Sequence, residues 1–100
     1  ELKPGMVFSN EPGMYREGEY GIRLENLIVC VKKEETEFGE FFGFDTLTLF
    51  PIDTSLIKKE LLTEEEITWL NDYHHSVFKE LQPLLSEKFQ VFLAELTQAV

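Results

Sequence analysis

The sequence predicts an α+β chain, with strands in its first half and helices in its second. Three observations carry that reading. Ile22 to Val31 is a run rich in Ile, Leu and Val, which suits a strand. Pro12-Gly13, Gly18 and Gly21 punctuate the stretch before it as turns. Further on, Thr63-Glu64-Glu65-Glu66 has the form of a helix capping box.

The elements follow in order. Met6 to Asn10 reads as a short strand that Pro12-Gly13 stops, because proline carries no N–H for a ladder. It is expected to pair antiparallel with Ile22–Val31 as a hairpin with a wide loop. Residues 32–45, KKEETEFGEFFGFD, are charged and Gly-interrupted and predict an exposed excursion. Thr46 to Phe50 alternates polar with apolar side chains, which predicts a third strand closed by Pro51. In the second half, Thr63 is the expected N-cap, with Leu62 and Ile67 as its hydrophobic staple. Glu64, Glu65 and Glu66 favour the positive end of the helix dipole. Ile67, Leu70, His74, Val77 and Leu81 then recur at helical spacing as far as Pro83. A last helix is expected from about Ser86, with Phe89, Phe92, Leu93 and Leu96 on one face.

Size and charge narrow the function. One hundred residues make at most one modest domain, able to bury somewhat over ~60% of its unfolded surface. The chain opens Glu1-Leu2-Lys3 without a methionine, as expected of a processed chain or a piece of a longer one. A formal net charge of −10 repels nucleic-acid phosphates and anionic membrane surfaces alike, so neither is an expected partner. The single cysteine, Cys30, permits no internal disulfide and reads as a buried reduced thiol of a cytoplasmic protein. No apolar stretch approaches the ~20 residues that span a bilayer.

Two glutamates stand out. Glu11 directly precedes the Pro12-Gly13 turn, and Glu25 interrupts the apolar run around Leu24, Leu27 and Ile28. A carboxylate in a buried strand is costly unless a cation balances it. The hairpin brings Glu11 near Glu25, and strand alternation turns Arg23 and Glu25 to one face. Residue chemistry leaves two readings open: Arg23 neutralises the pair as a salt bridge, or a divalent metal does.

The wording of the motif goes further. Asn10-Glu11-Pro12-Gly13 followed by Gly21-Ile22-Arg23-Leu24-Glu25-Asn26 resembles the Xaa-Pro aminopeptidases (aminopeptidase P) of the pita-bread metallopeptidases, a group that includes prolidase. Leu47-Thr48-Leu49-Phe50-Pro51-Ile52-Asp53-Thr54 and Trp69-Leu70-Asn71-Asp72-Tyr73-His74 resemble the C-terminal extension of the three-domain type. The resemblance covers essentially the whole chain. It implies that residues 1–51 end a pita-bread catalytic domain and that 52–100 form its helical extension. It also implies two divalent ions, commonly manganese, held by two aspartates, a histidine and two glutamates, the last two falling on Glu11 and Glu25.

Within that resemblance Glu11 is the expected proton acceptor, Glu25 a bridging ligand, and Arg23 and Tyr15 groups beside the site. The implied substrates are peptides with proline in second position. The implied partners are the rest of the catalytic domain and a second subunit. The aspartates and the metal-binding histidine are absent from this sequence, and His74 and His75 read as one packed and one solvated helix residue. The chain alone is therefore expected to be inactive. The alternatives are a prolidase-type dipeptidase and a non-catalytic interaction module on the same fold.

Overall fold

A computed structural model describes residues 1–100, which divide into two compact units, Glu1–Thr48 and Leu49–Val100.

The first unit is made of five antiparallel strands: β1 (Val7–Asn10), β2 (Gly13–Arg16), β3 (Tyr20–Arg23), β4 (Asn26–Thr36) and β5 (Gly39–Thr46). β1 pairs with β4, Val7 opposite Val29 and Asn10 opposite Asn26, so the expected pairing of the first strand is present. The connection is not a wide loop, however. β2 and β3 form their own ladder, Gly13 opposite Arg23 and Arg16 opposite Tyr20, closed by the short turn at Glu17–Glu19. Gly18 makes that turn possible, because its φ of +72° lies where a side chain is strained.

Two further expectations in this unit fail. Residues 32–45 are a hairpin and not an irregular excursion: β4 runs on to Thr36 and β5 returns along it, with a bulge between Lys32 and Glu34. Hydrophobic alternation could not reveal it, because cross-strand charge joins the strands there. Lys32 Nζ bonds Glu40 at 2.6 Å and Lys33 Nζ bonds Asp45 at 2.6 Å. Conversely, Thr46–Phe50 is no separate third strand: Thr46 ends β5 and Leu47–Phe50 is not strand. Past β5 the chain is tied by Leu47 N–H, which donates to the Leu27 carbonyl, and by Thr48 Oγ1, which accepts from Leu27 N–H. Only Asn26 and Cys30 are buried in this unit, and Cys30 is a free thiol, fully enclosed.

The second unit holds two 3₁₀ turns (Thr54–Leu56 and Lys59–Leu61), the helix α1 (Glu64–Leu81), a third 3₁₀ turn at Gln82–Leu84 containing Pro83, and the helix α2 (Glu87–Leu96). The capping box is complete. Glu66 N–H donates to Thr63 Oγ1 and Thr63 N–H donates to the Glu66 carboxylate at 2.8 Å. Leu70, Tyr73, His74 and Val77 form the buried stripe of α1, and Tyr73, Val77 and Leu93 pack with Ile52, Phe78, Leu81 and Leu85. The face expected for α2 is mostly uncovered: Leu93 is buried, while Phe89, Phe92 and Leu96 are exposed.

The segment leading into α1 is latched onto it by two adjacent side chains. The Tyr73 hydroxyl donates to the Phe50 carbonyl at 2.7 Å, and burial raises its pKa. Ile52 N–H donates to His74 Nε2 at 3.0 Å, which requires an unprotonated ring nitrogen. Burial holds the pKa of His74 below its ordinary value, with the Gln98 carbonyl near the ring opposing that shift. Nδ1 itself makes no well-formed hydrogen bond. His75 is exposed, as the helical spacing implied.

Candidate metal centre

The position of the two glutamates follows from strand register. Asn10 faces Asn26 in one ladder and Gly13 faces Arg23 in the other, so the same register runs through the break between them. That register sets Glu11 across from Glu25 and Pro12 across from Leu24, and Leu24 N–H does donate to the Pro12 carbonyl at 3.0 Å. The expected unbroken strand Ile22–Val31 is thus interrupted at Leu24 and Glu25. Pro12 contributes to the interruption by lacking a donor and by keeping Glu11 extended.

Arg23 lies between the carboxylates. Its Nη1 is 3.5 Å from Glu11 Oε1 and its Nε is 3.3 Å from Glu25 Oε2. The sequence left open whether Arg23 balances one glutamate. Its guanidinium contacts both. The three side chains are 40–51% exposed, so in this chain Glu25 is not the buried carboxylate that its apolar neighbours suggested. At that exposure the ion pairs add little stability. Their information is geometric: two carboxylates converge on one positive charge.

Two further features escaped the sequence. The Ser9 hydroxyl donates to Glu11 Oε2 at 2.5 Å, so the two oxygens of Glu11 have different partners. Its signal was the i, i+2 spacing of Ser9 and Glu11 in an extended segment, which turns both to one face. Tyr15 is the second case. Its ring lies across two glycines, such that a Cβ on Gly21 would come within 2.6 Å of Tyr15 Cδ1 and one on Gly13 within 2.8 Å of the hydroxyl. Both glycines are therefore needed for the ring to lie flat on the ribbon beside Arg23, although Tyr15 itself is exposed.

No group of three or more His, Cys, Asp or Glu side chains capable of holding a metal occurs in the chain. The residues present do fit a hard divalent cation as part of a ligand set. Glu11 and Glu25 offer oxygen donors, which suit manganese or magnesium, and their convergence on Arg23 marks a place where positive charge is accommodated.

Comparison with known proteins decides the family. Residues 40–100 match the C-terminal region of peptidase M24, and residues 1–32 match metallopeptidase family M24 itself. A probable Xaa-Pro aminopeptidase P of Coprinopsis cinerea is 48% identical over 84% of this chain and 14% of its own length. The chain belongs to metallopeptidase family M24. Xaa-Pro aminopeptidase 1 of Dictyostelium discoideum is 42% identical to this M24 chain over 86% of it, again 14% of that relative. The crystal structure of an X-prolyl aminopeptidase from Caenorhabditis elegans, described as a cytosolic enzyme with a di-nuclear active site, superposes with a TM-score of 0.83. It is 39% identical and the match covers 99% of this chain and 17% of that one. The fold is accordingly that of the C-terminal part of the pita-bread aminopeptidase, mixed strand and helix as expected. The M24 chain spans about one seventh of the length of the curated relatives it matches.

Proposed function

We propose that this chain acts as the C-terminal part of a cytoplasmic, metal-dependent Xaa-Pro aminopeptidase, supplying two of the carboxylates of a dinuclear site. The observation that carries the reading is the continuous register that sets Glu11 across from Glu25, both in contact with Arg23. Homology to Xaa-Pro aminopeptidases and to a structure with a di-nuclear active site supports it from outside the chain. Residues 1–51 close the catalytic domain in this reading, 52–100 form the extension, and a second subunit is the expected partner.

Glu11 and Glu25 would hold two divalent ions together with ligands from the rest of the catalytic domain, manganese being the choice that oxygen donors favour. When bound, the ions supply Lewis acidity to water and to the scissile carbonyl. The chain's own residues do the rest. Glu11 accepts the proton of the attacking water on its carboxylate, as a general base. Glu25, across the ladder, fixes the second corner of the site. Arg23 contacts both carboxylates and would orient them toward bound ions. Tyr15, flat on its glycines beside Arg23, presents a rigid wall to a peptide with proline in second position.

Glu11→Gln and Glu25→Gln in the full-length polypeptide test this directly. Each removes a charge and nearly preserves shape. Release of the residue before proline is expected to fall by roughly 10²–10⁴-fold for Glu11→Gln, the range of a lost general base, and metal content to fall in both. Wild-type turnover in either variant would end the assignment.

A further inference from the structure

We propose that Ser9 is a positioning residue for Glu11, which presets the carboxylate oxygen offered to a metal ion. The inference rests on the ligand role given to Glu11 above and goes beyond it, since no role has been assigned to Ser9.

The geometry separates the two oxygens of Glu11. Oε2 accepts from Ser9 Oγ at 2.5 Å, whereas Oε1 is 3.5 Å from Nη1 of Arg23, the guanidinium that Glu25 also contacts through Nε. A glutamate carboxylate rotates in a broad, roughly two-fold well, so nothing in the side chain itself selects an oxygen or an orientation. A hydroxyl donor on one oxygen does both. It fixes the plane of the group and leaves the other oxygen to face the shared charge.

Backbone structure makes the contact repeatable. Ser9 is held in β1 opposite Leu27, and Glu11 is kept extended by the proline that follows. Residues two apart on such a segment face the same way. The bond therefore costs little to form before any ion arrives. Hydrogen-bond partners of ligating carboxylates typically contribute 10–100-fold in metal affinity or activity.

The test uses the full-length polypeptide stripped of metal, with Ser9→Ala, Ser9→Thr and Glu11→Gln compared by manganese calorimetry and by steady-state kinetics on an Xaa-Pro peptide. Ser9→Ala is expected to weaken manganese binding by about 10-fold or more and to lower kcat with KM nearly unchanged, while the metal-free melting temperature stays that of wild type. Ser9→Thr restores the hydroxyl and is expected to restore both readouts. A role in packing alone would shift the metal-free melting temperature and would leave manganese affinity untouched. If Glu11→Gln abolishes binding while Ser9→Ala binds as wild type does, the role of Ser9 is overturned and that of Glu11 stands. If Ser9→Thr is as impaired as Ser9→Ala, the hydroxyl is not the cause and the proposal is likewise overturned. Unchanged manganese affinity in Glu11→Gln would remove the ligand role and the inference with it.

Discussion

Residues 49–100 bury a stripe of their own, whereas residues 1–48 bury almost nothing. In the helical unit Leu70, Tyr73, His74, Val77 and Leu93 are enclosed within some fifty residues of sequence. In the strand unit Asn26 and Cys30 are enclosed, while Phe8, Ile22, Phe41 and Phe44 remain exposed. The reason lies in how each element satisfies itself. A helix closes its backbone hydrogen bonds internally and needs cover only along one stripe. A sheet needs neighbours at its edges and a layer on its face. Here β1 and β5 are both edges of the order β1-β4-β5. The strand unit thus exposes the Glu11–Glu25 corner together with apolar side chains such as Phe8, Ile22 and Phe44.

Excision gives the largest effect with which to break this comparison. Residues 49–100 produced alone are expected to keep helical circular dichroism and a thermal transition, whereas residues 1–48 alone are expected to show neither a cooperative transition nor a monomeric state by sedimentation. A cooperatively folding 1–48 peptide would erase the contrast.

A smaller effect tests what holds the helical unit. His74→Ala leaves the partly buried Ile52 N–H without its acceptor, at a cost of about 1–3 kcal/mol in chemical denaturation. The same histidine sets a pH dependence. Its pKa is lowered by burial in the folded unit, below the value of about 6.5 for an unfolded ring. The unfolded chain therefore binds the proton first. Stability is fully present above pH ~6.5 and declines as the pH drops from there toward the lowered folded value. Denaturation midpoints between pH 8 and pH 5 are expected to show that decline in wild type and to lose its histidine component in His74→Ala.

The smallest effect sharpens the contrast at a helix end. Thr63→Ala removes one half of the capping box and is expected to cost about 1 kcal/mol, a few degrees in melting temperature, with no change at the strand corner. A loss beyond about 2 kcal/mol would mean that Thr63 supports more than the cap.

How far the sequence could be read differs along the same line. The capping box, the stripe of α1 and the stop near Pro83 were legible because they depend on neighbours three or four residues away. The pairing of β1 was legible too, from its turn residues and its apolar partner. The β4–β5 hairpin was not, since charge joins Lys32 to Glu40 and Lys33 to Asp45, and Phe41, Phe42 and Phe44 fall in no clean alternation. Glu25 was found for a reason that changed on inspection. It interrupts an apolar run, yet it sits exposed at a break between ladders and not within a buried strand. The glycines beneath Tyr15 were read as punctuation, although at Gly13 and Gly21 their missing Cβ makes room for a ring.

Local chemistry alone determined the α+β division, the capped helix and the choice of Glu11 and Glu25 as the carboxylates worth attention. Those features are written in side-chain type and short spacing. Tertiary structure decided the register that sets the expected pair of glutamates directly opposite, that Arg23 touches both, and that Ser9 holds one oxygen of Glu11. Register and side-chain placement are properties of paired strands. They arise only when segments fourteen residues apart are fixed side by side.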